Sequence, residues 1–332
     1  MTHSDHRDIV RMSSIIAGTA TLATAGLLAA TADGMFRFAI DTQSRNSIFR
    51  KGIIAPDRAE KMSVGEAREA GEWFEHAKQP LTLNSYDGLR LHGWLFDPDC
   101  VSPAPHAYAI CVHGYTGEPA EMAKWAHRYA RLGFTVLVPA QRAHELSEGR
   151  YVGMGWLEHN DLLSWIQLIT DSDKEARILL YGGSMGASTV MSTVGDPRLP
   201  RNVVAGIAES GFASARDEFV DMAHSMFHLP RLAAAACVDA AGLICKHRAG
   251  YDFTEASCLR SLRHTVIPML FIHGGADSLV SPRFLAMNYA ACSSLDREKL
   301  LVPGANHMES SGKDPDLYWR TMEGFIRRTF KL

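Results

Sequence analysis

A serine hydroxyl is a weak nucleophile near neutral pH. It attacks a carbonyl only where an imidazole takes its proton and an acid holds that imidazole in place. Three residues of this chain have the types and settings for such a relay: Ser184, Asp277 and His307. Ser184 stands in Gly182-Gly183-Ser184-Met185-Gly186, between an apolar run ending at Tyr181 and the small-residue stretch 187–194. The pattern predicts a sharp strand-to-helix turn, in which glycines two before and two after the serine leave room for the backbone. A helix starting at Met185 points N–H groups back at the serine, so the Met185 N–H is a candidate donor to the oxyanion of a tetrahedral intermediate. Asp277 follows the apolar run 268–272, and His307 follows the run 299–302. Each member thus comes just after a strand-like run, as groups gathered at one edge of a parallel sheet must. Glu209, ending the run that starts at Val203, is a possible alternative acid; the loop pattern around Asp277 favours Asp277.

The elements that would position these residues alternate. Runs at 108–112, 135–138, 176–181 and 203–208 are separated by helical patterns at 119–132, 156–170 and 185–194, which predicts a mostly parallel sheet covered on both faces. Before them, 81–84 and 89–96 flank Ser85-Tyr86-Asp87-Gly88 and predict a hairpin at the antiparallel edge. Ser63 to Lys78 has helical spacing, with Ser63 and Glu66 in capping-box register.

With His113-Gly114-Tyr115-Thr116-Gly117 after the first parallel run, the elbow and the ordered Ser, Asp and His resemble the α/β-hydrolase superfamily over about residues 81–330. The stretch from Gln141 to Gly149 is similar to a divergent form of the superfamily's Asp-x-Arg-Gly-His-Gly-x-Ser-x-Gly loop, departing from it at Ala140, Ala143 and Glu145. The resemblance implies a doubly wound sheet, with the Tyr115 N–H as second oxyanion donor and His113 shaping that loop. It also implies that the insertion at about 212–263 is a helical lid, in which Met222, Met226, Phe227, Leu229 and Leu232 would line an apolar acyl pocket if they face the elbow. The expected chemistry is hydrolysis of a carboxylic ester on a small-molecule acyl substrate through an acyl-serine, with no metal or organic cofactor. A serine peptidase or thioesterase would use the same parts, whereas a non-catalytic binding module would have no need of all three triad members.

The chain has 332 residues, 46% hydrophobic and 21% charged, with a net charge of −3 and no basic block, which argues against a nucleic-acid partner. Its six cysteines form no C-x-x-C pair and read as free thiols. Residues 12–32 carry no charge and follow Arg7 and Arg11, so a signal or membrane anchor is expected over 1–34, with Ala30-Thr31-Ala32 as a candidate cleavage site. A helical linker over 35–80 and a catalytic domain over 81–332 would follow. The expected location is membrane-anchored or exported, with a cytoplasmic protein as the alternative.

Overall fold

The computed structural model describes residues 26–51 and 65–332. One sheet of eight strands runs in the order β1-β2-β4-β3-β5-β6-β7-β8. The strands are β1 (Gln79–Asn84), β2 (Arg90–Phe96), β3 (Ala107–Val112), β4 (Thr135–Pro139), β5 (Arg177–Gly183), β6 (Val203–Glu209), β7 (Met269–Gly274) and β8 (Arg297–Val302). β1 and β2 pair antiparallel, as does β2 with β4, while β4 to β8 are parallel through β3. The expected hairpin forms at Ser85-Tyr86-Asp87-Gly88, where the Leu89 N–H donates to the Ser85 hydroxyl oxygen at 2.8 Å and that hydroxyl donates to Asp87 at 2.6 Å.

The main helices are α1 (Glu66–Ala77), α2 (Ala123–Arg131), α3 (Glu158–Ser172), α4 (Met185–Val194), α5 (Ala215–Phe227), α6 (Arg231–Ala249), α7 (Arg283–Ala291) and α8 (Pro315–Phe330). Both faces of the inner parallel strands β3 to β7 are buried, so their sequences are largely apolar rather than alternating, whereas the edge strand β8 is partly exposed and opens with Arg297-Glu298-Lys299. In β3, Ala109 and Cys111 point into a cluster with Phe74, Tyr129 and Phe325 from α1, α2 and α8. Ile110 and Val112 point the other way, into a cluster with Trp165, Val190 and Leu285 from α3, α4 and α7. Burial of each such side chain contributes roughly 1.5–3 kcal/mol, and this two-sided packing holds the strand ends in register.

The helix ends follow local chemistry. The Ser214 hydroxyl accepts the Asp217 N–H at 3.0 Å to start α5, and the Asp314 carboxylate accepts the Leu317 N–H at 3.1 Å to start α8. The capping box expected at Ser63 lies outside the described residues; α1 begins at Glu66 after Gly65, with no side-chain cap. Between β6 and β7 the insertion forms α5 and α6, which pack on each other and on a third cluster that includes Ala32, Phe36 and Ile40.

Those last three residues belong to the N-terminal stretch. Residues 26–39 are helical, so the boundary expected at residue 34 falls inside a helix. Ala32, Phe36 and Ile40 are fully buried; Asp33 pairs with Arg248 of α6 at 2.6 Å, and Arg150 grips Asp41 through two bonds of 3.0 and 2.8 Å. Residues 12–25 of the candidate span lie outside the described residues, among which no helix is long and apolar enough to cross a membrane.

Candidate active site

β5 ends at Gly183 and α4 begins at Met185, leaving Ser184 alone on the turn with φ 56° and ψ −121°. Such a backbone costs about 1–3 kcal/mol and persists only where the surroundings enforce it. Here the Ser184 N–H donates to the Glu209 carbonyl of β6 at 2.8 Å, which ties the turn to the next strand. The flanking glycines are required by close approach. A Cβ on Gly182 would lie 2.1 Å from the Gly186 carbonyl oxygen, and one on Gly186 would lie 2.1 Å from that of Val112. Gly186→Ala is therefore expected to cost about 4 kcal/mol or more, in the range of severe core lesions, read as a drop in the denaturant midpoint.

The loops after β7 and β8 bring the other two residues to the serine. His307 Nε2 lies 3.0 Å from Ser184 Oγ, and His307 Nδ1 lies 2.7 Å from Asp277 Oδ2. The other oxygen of Asp277 accepts the N–H groups of Leu279 and Val280 at 3.0 and 2.9 Å, while His273 Nε2 stands 3.2 Å from Oδ2. Burial by itself would raise the Asp277 pKa. The bonds from His273 and His307, with the Val280 N–H, outweigh it and hold the carboxyl well below the usual carboxylate range. Asp277 is thus fixed, ionised and fully bonded.

Glu209 is held elsewhere. Its buried carboxylate accepts bonds from the hydroxyls of Tyr181 and Tyr318, whereas the two ring nitrogens of His307 are engaged by Asp277 and Ser184. Burial, opposed by those two hydroxyls, pushes its pKa up.

Met185 is the first residue of α4, where backbone N–H groups have no intrahelical acceptor. Opposite it, Gly114, Tyr115 and Thr116 line the same cavity as Ser184. The Gln141 N–H donates to His113 Nε2 at 3.0 Å, and the Gln141 side chain bridges the His113 carbonyl (2.7 Å) to the Thr189 hydroxyl of α4 (2.9 Å). His113 therefore shapes the loop, as expected of it. The Tyr115 carbonyl accepts from His144 and the Tyr115 hydroxyl donates to the Ala39 carbonyl, while Phe49 packs edge-on against Tyr115 with ring centres 5.0 Å apart. The N-terminal stretch thus braces the loop that carries the Tyr115 N–H, a contact with no local sequence signal because its partners are 76 residues apart.

A cavity of about 370 Å³ opens in front of Ser184 and His307. Of the five side chains expected to line it, only Met222 does. Met226, Phe227 and Leu232 are exposed, because α5 runs on past the cavity and ends in solvent at His228; Leu229 packs against the α5–α6 cluster instead. The apolar wall comes from Met122, Trp125, Met154, Phe212 and Val280, which sequence reading passed over. Glu218 of α5 also lines it. Its place was legible, since Ala215, Glu218 and Met222 fall on one helical stripe.

No protein-family model matches the chain. It is similar to the uncharacterized protein YqkD of Bacillus subtilis, at 25% identity over 277 residues, 80% of this chain and 85% of that one. It is also similar to the alpha/beta hydrolase domain-containing protein WAV2 of Arabidopsis thaliana, at 26% identity over 258 residues, 75% of this chain and 79% of that one. Among solved structures, the Pyrococcus furiosus esterase Pf2001 superposes with a TM-score of 0.58 at 21% identity, over 76% of this chain and 93% of that one.

Proposed function

We propose, from the α/β-hydrolase fold that this chain carries, that it is a serine hydrolase cleaving carboxylic esters through an acyl-serine intermediate. The observation that carries this reading is the unbroken relay from Ser184 Oγ through His307 to Asp277, at 3.0 and 2.7 Å, facing a cavity. His307 Nε2 takes the serine proton as Oγ attacks the carbonyl carbon, and Asp277 steadies the imidazolium that forms. The N–H groups of Tyr115 and Met185 receive the oxyanion. Collapse of the tetrahedral intermediate expels the alcohol, which takes the proton from His307; water then repeats the sequence on the acyl-serine and frees the acid. Every step draws on groups of the chain itself.

The direct test is labelling by a fluorophosphonate, which phosphonylates only an activated serine. We expect stoichiometric labelling at Ser184, abolished by prior heat denaturation. An unlabelled folded protein would refute the reading.

The bracing of Tyr115 by the N-terminal stretch makes a further expectation. Removing residues 1–25 leaves Ala39 and Phe49 in place against Tyr115 and serves as the control truncation. Removing residues 1–51 strips Ala39 and Phe49 from Tyr115, and kcat should fall on the order of a hundredfold if one oxyanion donor is displaced. Steady-state kinetics on both truncations, with circular dichroism to verify folding, reads the difference.

A further inference from the structure

One carboxyl in the cavity has no role in the relay. Glu218 is only 3% exposed, lines the cavity shared by Ser184 and His307, and its Oε2 has no hydrogen-bond partner. Leaving a buried polar atom of this kind unpaired is unfavourable, and α5 could have carried a leucine on that stripe without the penalty. The charges facing Glu218 are mostly of its own sign: Asp221 on α5 and Asp277 after β7, against Arg283 at the start of α7, which is itself bonded to Asp221 at 2.7 Å. Burial, reinforced by the two aspartates, pushes the Glu218 pKa well up. Glu121 and Glu309 line the cavity as well, and among the described residues no lysine or arginine does. Away from the oxyanion donors, the cavity therefore presents carboxyl groups and apolar walls, with no lysine or arginine among the described residues to pair an anionic substrate group.

We propose that Glu218 is a specificity-determining residue that receives a cationic nitrogen of the substrate, so that the ester cleaved here carries an ammonium group with an apolar spacer. This rests on the hydrolase reading above and narrows its substrate class. A bound ammonium would favour the ionised form of the Glu218 carboxyl against its burial and supply the partner that Oε2 lacks, and the methylene spacer would lie along Met122, Trp125 and Met222. Esters that carry a carboxylate or phosphate would meet carboxyl groups of their own sign.

Isosteric pairs test this on the full chain: p-nitrophenyl 6-aminohexanoate against the heptanoate, and choline butyrate against 3,3-dimethylbutyl butyrate, which put the cation on either side of the scissile bond. The expected result is that the wild type favours the cationic member of at least one pair. Glu218→Gln should then lower that cationic-to-neutral ratio of kcat/KM about tenfold. A ratio unchanged by Glu218→Gln, with both members falling together, would mean that the carboxyl only supports the fold and would overturn the proposal. So would a wild type that favours the neutral members. Turnover of the neutral esters reports on the hydrolase reading separately. Should the protein turn over no ester, calorimetric titration of Ser184→Ala with hexylammonium still decides the binding claim: saturable binding weakened about tenfold by an added Glu218→Gln supports it, and no binding ends it.

Discussion

Replacing Ser184 by alanine is expected to lower kcat by about a millionfold, to within the background set by the remaining oxyanion donors and binding groups, while the protein stays folded. The loss should be that large because Ser184 and His307 act as a unit. Without Oγ there is no atom for His307 to activate, so the double mutant Ser184→Ala/His307→Ala should be hardly worse than either single change. Folding should survive, since the elbow is held by the Ser184 N–H bonded to Glu209 and by the glycine contacts, none of which uses the hydroxyl. Purified Ser184→Ala protein with an unchanged thermal midpoint and kcat within tenfold of wild type would remove the serine from the mechanism.

Much of the framework was legible because its signals are local. Buried parallel strands must be apolar along their length, so β3 to β7 stand out as runs, and the elbow glycines are dictated by backbone contacts of 2.1 Å that admit no side chain. Ser184, Asp277 and His307 could be aligned because each follows such a run. Less could be read where the decisive partner is distant in sequence. The stretch 12–32 reads as a candidate signal or anchor from its lack of charge, and its described part continues as one helix to residue 39. Its burial is decided by Ala32, Phe36 and Ile40 meeting the α5–α6 insertion, and by Asp33 meeting Arg248. The expected acyl pocket failed for a related reason. Met226 shares the stripe of Met222 but stands one turn further along α5, where it is exposed among the described residues, and helical spacing alone does not say where the neighbouring structure ends.

The choice between the two acids yields the second large expected effect. Asp277→Asn should lower kcat about ten-thousandfold, whereas Glu209→Gln should stay within about fivefold of wild type, since it weakens two hydrogen bonds without removing either. The difference follows from what each carboxylate touches. At position 277 one oxygen is committed to the Leu279 and Val280 N–H groups, so the asparagine carbonyl must take that side and its NH2 must face His307 Nδ1. The imidazole would then have to accept at Nδ1 and carry its proton on Nε2, the tautomer that cannot receive the proton of Ser184. The same NH2 would confront His273 Nε2, which leaves no orientation that satisfies both sides. Glutamine at 209 keeps an oxygen for the Tyr181 and Tyr318 hydroxyls and leaves the His307–Asp277 bond in place. Acid titration adds an independent check. The folded pKa of Asp277 is depressed, so its stabilising contribution is complete above the ordinary carboxylate pKa and is lost as pH falls through the lower folded value. Wild type should therefore lose stability from about pH 4 downward more steeply than Asp277→Asn does. Should Glu209→Gln instead prove the more damaging to kcat, with both proteins folded, the relay would have to be redrawn with its acid at the end of β6.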